Sequence, residues 1–164
     1  MVMRRWLVGG ALIRHDDGLV LVGNRRRDRS YEWTPPGGVI DDGEQMLEGL
    51  AREVCEETGL VVGTWAGRRY SVEVEAPDMG WLLRVEAWEA AEVTGEVRIG
   101  DPDGIVEEVR YASGSEAPSL LQGSPLWVSV PVGEWLLDRT SDTSVFRFRL
   151  LGTDRVNAVV ERLT

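Results

Sequence analysis

Apolar residues in this chain fall in short runs whose period changes along the chain, and those changes separate strands from helices before any chemistry is considered. Residues 6–13 and 19–22 are apolar stretches of strand length. His15-Asp16-Asp17-Gly18 between them supplies turn residues, with Gly18 free to take a positive φ, so the two stretches predict a hairpin. Residues 24–31 are polar and arginine-rich. Glu32-Trp33-Thr34-Pro35-Pro36-Gly37-Gly38 then predicts a stiff loop without regular structure. From there the period becomes helical: Leu47, Leu50, Ala51 and Val54 recur at i, i+3, i+4 and i+7. Asp41 or Asp42 is placed to cap, Glu44 or Gln45 stands three residues on as in a capping box, and Gly59 is a C-terminal stop.

After Gly59 the strand pattern returns. Residues 60–64, 69–75, 80–88 and 106–112 read as strands by β-branched, aromatic or alternating content. A Ser/Gly/Pro-rich loop is expected over 113–125, a short helix over 132–137, a strand over 145–150 and a final helix over 154–163. With no repeat, low-complexity tract or linker, the expectation is one domain over 1–164 of mixed α/β class. Strands outnumber helices, which favours a sheet sandwiched between helices over a doubly wound nucleotide fold.

Composition narrows what such a domain does. The 164 residues suffice for one core, and 18 basic against 28 acidic residues give a formal charge of -10. That balance speaks against stable binding to nucleic acid or an anionic membrane through bulk attraction. One cysteine, Cys55, and one histidine, His15, exclude a disulfide framework and any metal site needing several thiols or imidazoles. Cys55 reads as packing. The run 6–13 is too short for a membrane span and lacks a small-residue cleavage site, so it reads as a buried strand and the protein as cytoplasmic.

The chemistry must then run on carboxylates, arginines, hydroxyls and backbone, and the helix concentrates the first of these. Glu53, Glu56 and Glu57 share one side of it, with Arg52 beside them and Leu47, Leu50 and Val54 turned to the core. Acids near a helix C-terminus oppose the macrodipole by roughly 0.3–1 kcal/mol each, and like charges at i, i+4 cost about 0.2–0.5 kcal/mol a pair. A solvated acidic face does not explain why the acids sit where the helix least tolerates them. A hard divalent cation such as Mg²⁺ or Mn²⁺, bound by oxygen ligands, does.

The stretch Gly38, Glu44, Arg52, Glu53, Val54, Glu56, Glu57, Gly59, Leu60 resembles the Nudix box, Gly-x5-Glu-x7-Arg-Glu-U-x-Glu-Glu-x-Gly-U with U aliphatic, and fills every specified position. Trp33, Pro36-Gly37-Gly38 and the hairpin ending in Arg25 are similar to the usual lead-in. The resemblance implies an α+β Nudix fold, a mixed β-sheet between helices with a catalytic loop-helix-loop. It further implies metal-dependent hydrolysis of a diphosphate joined to another moiety. By residue-by-residue carry-over, Glu53, Glu56, Glu57 and the carbonyl of Gly37 would hold Mg²⁺, with Mn²⁺ as substitute, while Gly38, Glu44 and Arg52 would support them. Arg25 would contact phosphate. The general base varies in the family, and here Glu108 or Glu107 is favoured. Among Trp33, Tyr70, Trp81 and Trp88, Trp33 is favoured to stack on a base.

The expected substrate is a nucleoside triphosphate, oxidised forms included, or else ADP-ribose or another nucleotide sugar. The alternative of another class is a Nudix-fold nucleotide sensor without catalysis. Residues 113–164, where the resemblance says least, could instead be an oligomerisation surface, and the choice between monomer and homodimer stays open.

Overall fold

In the computed structural model, which describes residues 2–163, the strands form two sheets. β1 (Arg4–Leu12), β5 (Gly37–Val39), β6 (Val61–Ala76), β7 (Trp81–Thr94), β9 (Val145–Leu151) and β10 (Val159–Leu163) form a six-stranded sheet in the order β10-β9-β6-β7-β1-β5. β2 (Arg14–His15), β3 (Gly18–Arg25), β4 (Tyr31–Thr34) and β8 (Val106–Ala112) form the smaller sheet, in which β3 pairs with the other three. The larger sheet is mixed: β1 runs parallel to β7 and β6 parallel to β9, while its other pairs are antiparallel.

Helices lie on both sides, in the expected sandwich. α1 (Met46–Thr58) turns Leu50 and Val54 into one core with Ala11, Ile13, Val20, Leu60 and Val62. α2 (Ala117–Leu121) and α3 (Leu126–Leu136) close a second core built on Leu12, Leu21, Val72, Val74, Trp135, Phe148 and Leu150. α1 ends as the sequence predicts, with Gly59 left-handed at φ 79° and its N–H donating to the Cys55 carbonyl. Its start differs. The N-cap is Gln45 with no side-chain capping bond, because Glu44 is turned back to accept the Asp41 N–H at 3.1 Å.

Several sequence expectations are corrected. The two first apolar runs are not one hairpin: only Arg14–His15 pairs locally with Gly18–Leu19, while β1 crosses into the larger sheet. The positive φ in that turn falls on Asp16, at 51°. β1 is buried only toward its end, with Trp6 and Leu7 37% and 36% exposed, because β5 pairs with it only at Val8, Gly9 and Gly10. The proline-glycine stretch holds two short strands, β4 and β5, separated by the prolines. Residues 60–64 and 69–75 belong to one strand, β6, whose register shifts absorb the glycines between them. The expected loop over 113–125 contains α2, and α3 begins at Leu126, carrying Pro131 inside it. The final helix is instead β10, whose pairing with β9 from Val159↔Leu151 to Leu163↔Arg147 overrides the helical spacing of its apolar residues.

Candidate functional site

The last two turns of α1 carry the acidic residues, and Arg52 organises them. Its Nε and Nη2 donate to the two Glu44 oxygens, both at 3.0 Å, and its Nη1 donates to Glu53 at 3.1 Å and Glu56 at 3.4 Å. One guanidinium thus spans three carboxylates, a planar fork used at full extent. These bonds hold the Glu44 carboxyl below its ordinary range, the Arg52 bonds first and the Asp41 N–H second, and they raise the Arg52 pKa further.

Two glycines make room for the acids. A Cβ at Gly38 would lie 2.6 Å from the Glu53 carboxyl carbon, and one at Gly49 would lie 2.6 Å from Glu44 Oε1. Gly49 lowers helix propensity by about 1 kcal/mol in mid-helix so that Glu44 can turn under Arg52.

Glu57 sits deepest, 7% exposed, and accepts the Gly37 N–H at 2.7 Å. Burial pushes its pKa up to about 8; Glu53 and Asp101 add to the rise, and the Gly37 N–H and Arg26 oppose it. Burial also lifts Glu53, against the pull of Arg52 and with Glu56 and Asp103 adding to it.

Glu53, Glu56 and Glu57 line one cleft of about 920 Å³ between the sheets, together with Gly37, Gly38 and Arg52. The candidates outside the box lie elsewhere. Arg25 donates to Glu107 at 3.4 Å and stacks over Tyr31, and Glu108 accepts the Tyr31 hydroxyl at 2.6 Å. Burial and that bond to Glu108 both raise the Tyr31 pKa. Trp33 packs against the second core with Arg110 over its ring. None of Arg25, Trp33, Glu107 and Glu108 lines the cleft; Arg26, Asp101, Asp103, Trp81, Trp127 and Arg155 do.

The two arginines part at the end of β3: Arg26, just past the strand, lines the cleft with Asn24, whereas Arg25 is turned to Glu107 and Tyr31. The signal for the acids was a tight Asp-Pro-Asp-Gly turn, in which the Asp101 carboxylate accepts the N–H groups of Asp103, Ile105 and Val106 at 3.1, 2.8 and 2.9 Å.

Among the described residues, no three carboxylates, imidazoles or thiols converge as a ready-made metal site. Arg52 draws Glu53 and Glu56 to itself while the Gly37 N–H holds Glu57. The chemistry of the donor set nevertheless fits a hard divalent cation. Asp41, Glu53, Glu56, Glu57, Asp101 and Asp103 line the cleft against only Arg26, Arg52 and Arg155, an excess of acidic oxygen donors.

Known proteins share the fold and part of the sequence. A family model described as the NUDIX domain matches residues 3–127. An RNA pyrophosphohydrolase of Caulobacter vibrioides is 33% identical over 98 residues, covering 53% of this chain and 57% of the relative. One from Mesorhizobium japonicum is 38% identical over 80 residues, covering 44% and 41%. The matches thus span roughly half the length of these relatives. Among solved structures, the MutT protein of Bacillus halodurans superposes with a TM-score of 0.68 at 21% identity, covering 96% of this chain and 97% of that one. The MutT protein of Methanosarcina mazei superposes at 0.63 and 22%, covering 84% and 97%. At these identities the superpositions speak to fold.

Proposed function

The chain belongs to the Nudix family, and on that premise we propose that it is a divalent-metal-dependent pyrophosphohydrolase. Its substrate is a nucleoside diphosphate linked to another moiety, a nucleoside triphosphate first, oxidised forms included. The observation that carries the reading is the gathering of Glu53, Glu56, Glu57, Asp101 and Asp103 on one cleft, where their excess over the arginines calls for a cation.

In this reading Glu53, Glu56, Glu57 and the Gly37 carbonyl hold Mg²⁺, or Mn²⁺ in its place. The ion supplies charge neutralisation on the phosphate oxygens and a more acidic water. Arg52 and Glu44 set the carboxylate positions and Gly38 leaves them space. Arg26, facing the cleft, takes the phosphate-contacting role first considered for Arg25. Asp101 is committed to three backbone N–H groups, whereas the Asp103 carboxylate has no hydrogen bond among the described residues, so Asp103 is the acid placed to accept a proton from the attacking water. Glu108 and Glu107 are the alternatives, each first having to leave Tyr31 or Arg25.

The reading treats residues 1–164 as one domain in the cytoplasm. No helix among the described residues is long and apolar enough to cross a membrane.

The test is release of a nucleoside monophosphate, with pyrophosphate or a second monophosphate as co-product, from nucleoside triphosphates, ADP-ribose and other nucleotide sugars, and dinucleotides, with Mg²⁺ or Mn²⁺ and an EDTA control. RNA joins the panel because of the relatives' names, although the charge of -10 disfavours its stable binding. Turnover of one class, abolished by EDTA, is expected. The second reading is a nucleotide sensor, favoured by the hold of Arg52 on Glu53 and Glu56. Tight nucleotide binding with metal present and no turnover would establish it.

A further inference from the structure

β9 and β10 are joined by a turn, residues 152–158, that reaches across to the smaller sheet. Its tether is Arg155, whose Nη2 donates to both Glu32 oxygens, at 3.0 and 3.1 Å. Glu32 lies on β4, is 7% exposed, and also accepts from Arg26 Nε at 3.2 Å. An exposed pair of this kind would contribute little, but a buried carboxylate depends on both partners. Glu32 therefore fixes two guanidinium groups on the cleft wall.

The Arg155 guanidinium carbon is 6.0 Å from the centroid of the Trp127 ring, in the first turn of α3, and Trp81 lines the cleft as well. Asn24, 5% exposed, donates from Nδ2 to the Val22 and Glu32 carbonyls and Thr34 Oγ1, and its Oδ1 accepts nothing among the described residues. The cleft thus has two unlike regions. One carries the carboxylates of α1; the other offers indoles, a fixed guanidinium and the amide oxygen of Asn24, unpaired among the described residues.

Resting on the nucleotide-hydrolase reading, we propose that Trp127 and Arg155 are specificity-determining residues that seat the nucleobase of a mononucleotide. The indole stacks on the base, and Arg155 donates to it from the nitrogens that Glu32 leaves free. Every base has a flat π face, so stacking separates nucleotides from phosphates without a base more than it separates one base from another. Arg155 lies beyond the residues 3–127 that match the family model, and Trp127 is the last of them. Arg155 thus contributes to the preference from the part of the chain that the family model does not match.

The experiment is calorimetric binding of AMP, GMP, CMP and UMP, which have no anhydride bond to cleave, to the full chain with Mg²⁺. The four are expected to bind within about tenfold of one another, and ribose 5-phosphate at least about fivefold more weakly than any of them. Trp127→Leu and Arg155→Met should each weaken all four nucleotides at least about fivefold; Trp127→Leu should leave ribose 5-phosphate unaffected, and Arg155→Met should weaken it less than the nucleotides, since it reaches phosphate only through Glu32 and Arg26. Circular dichroism checks the fold, and if Trp127→Leu does not fold, the exposed Arg155 carries the test. Unchanged nucleotide affinity in folded Arg155→Met, ribose 5-phosphate binding as tightly as AMP, or no nucleotide binding at all overturns the proposal. Nucleotide binding that responds to both substitutions, with no monophosphate or pyrophosphate released from any substrate of the panel, sinks the hydrolase reading and keeps this one. Turnover without that response does the reverse.

Discussion

Glu57 holds a proton that an ordinary carboxylate would have lost, and this has a thermodynamic signature. Its pKa is raised from 4.5 to about 8 in the folded chain, so between those values the folded state binds one more proton than the unfolded state. Stability of the metal-free protein must then fall as pH rises from 4.5 toward 8 and level off above, with a slope approaching about 1.4 kcal/mol per pH unit from this group. Urea titrations in EDTA across that range should show the decline, and Glu57→Gln should flatten it. With metal, Glu57→Gln or Glu56→Gln is expected to lower turnover by orders of magnitude with the fold intact, and full activity in both would overturn their assignment as metal ligands. Arg52→Met, which releases Glu44, Glu53 and Glu56 together, should weaken metal affinity or turnover roughly 10–100-fold in an Mn²⁺ titration. At this scale the acids of α1 were legible because helix geometry fixes which of them share a side. Arg155 was not, since only a contact 123 residues away in sequence brings it to Glu32.

Elements were legible where local pattern and tertiary pairing agree. β8 begins and ends where its alternation predicts, and α1 stops at Gly59. That stop is open to test: a left-handed residue other than glycine costs roughly 1–2 kcal/mol, and a Cβ at Gly59 would lie 2.7 Å from the Glu96 carbonyl. Gly59→Ala should lower the thermal midpoint by several degrees, at about 2–4 °C per kcal/mol for a chain of this size. Where pairing overrides pattern, sequence misleads. Val156, Val159, Val160 and Leu163 have helical spacing, yet β9 offers an open edge that β-branched valines fit. The first apolar run likewise sits beside its neighbour in sequence, but β7 and β5 claim it.

For the whole molecule, the end of the chain belongs to the core. Phe148 and Leu150 are each 1% exposed, and removing such a side chain alone costs roughly 2–5 kcal/mol. A chain truncated before Val145 should therefore lose its cooperative melting transition, and a folded, active monomer would instead favour an oligomerisation role for that segment. A mixed sheet between helices was foreseeable from many short strands around one acidic helix, but its division into two sheets and the strand order were not, because parallel partners carry no local signature. That order also has a consequence during synthesis. β6 and β7 can close as a hairpin while the chain is still emerging, but Ser71 waits for Val145 and Glu75 for Arg149, seventy-odd residues later. Until those residues leave the ribosome, the flank of β6 stays open to any passing strand, and for that interval the nascent protein depends on whatever shields it.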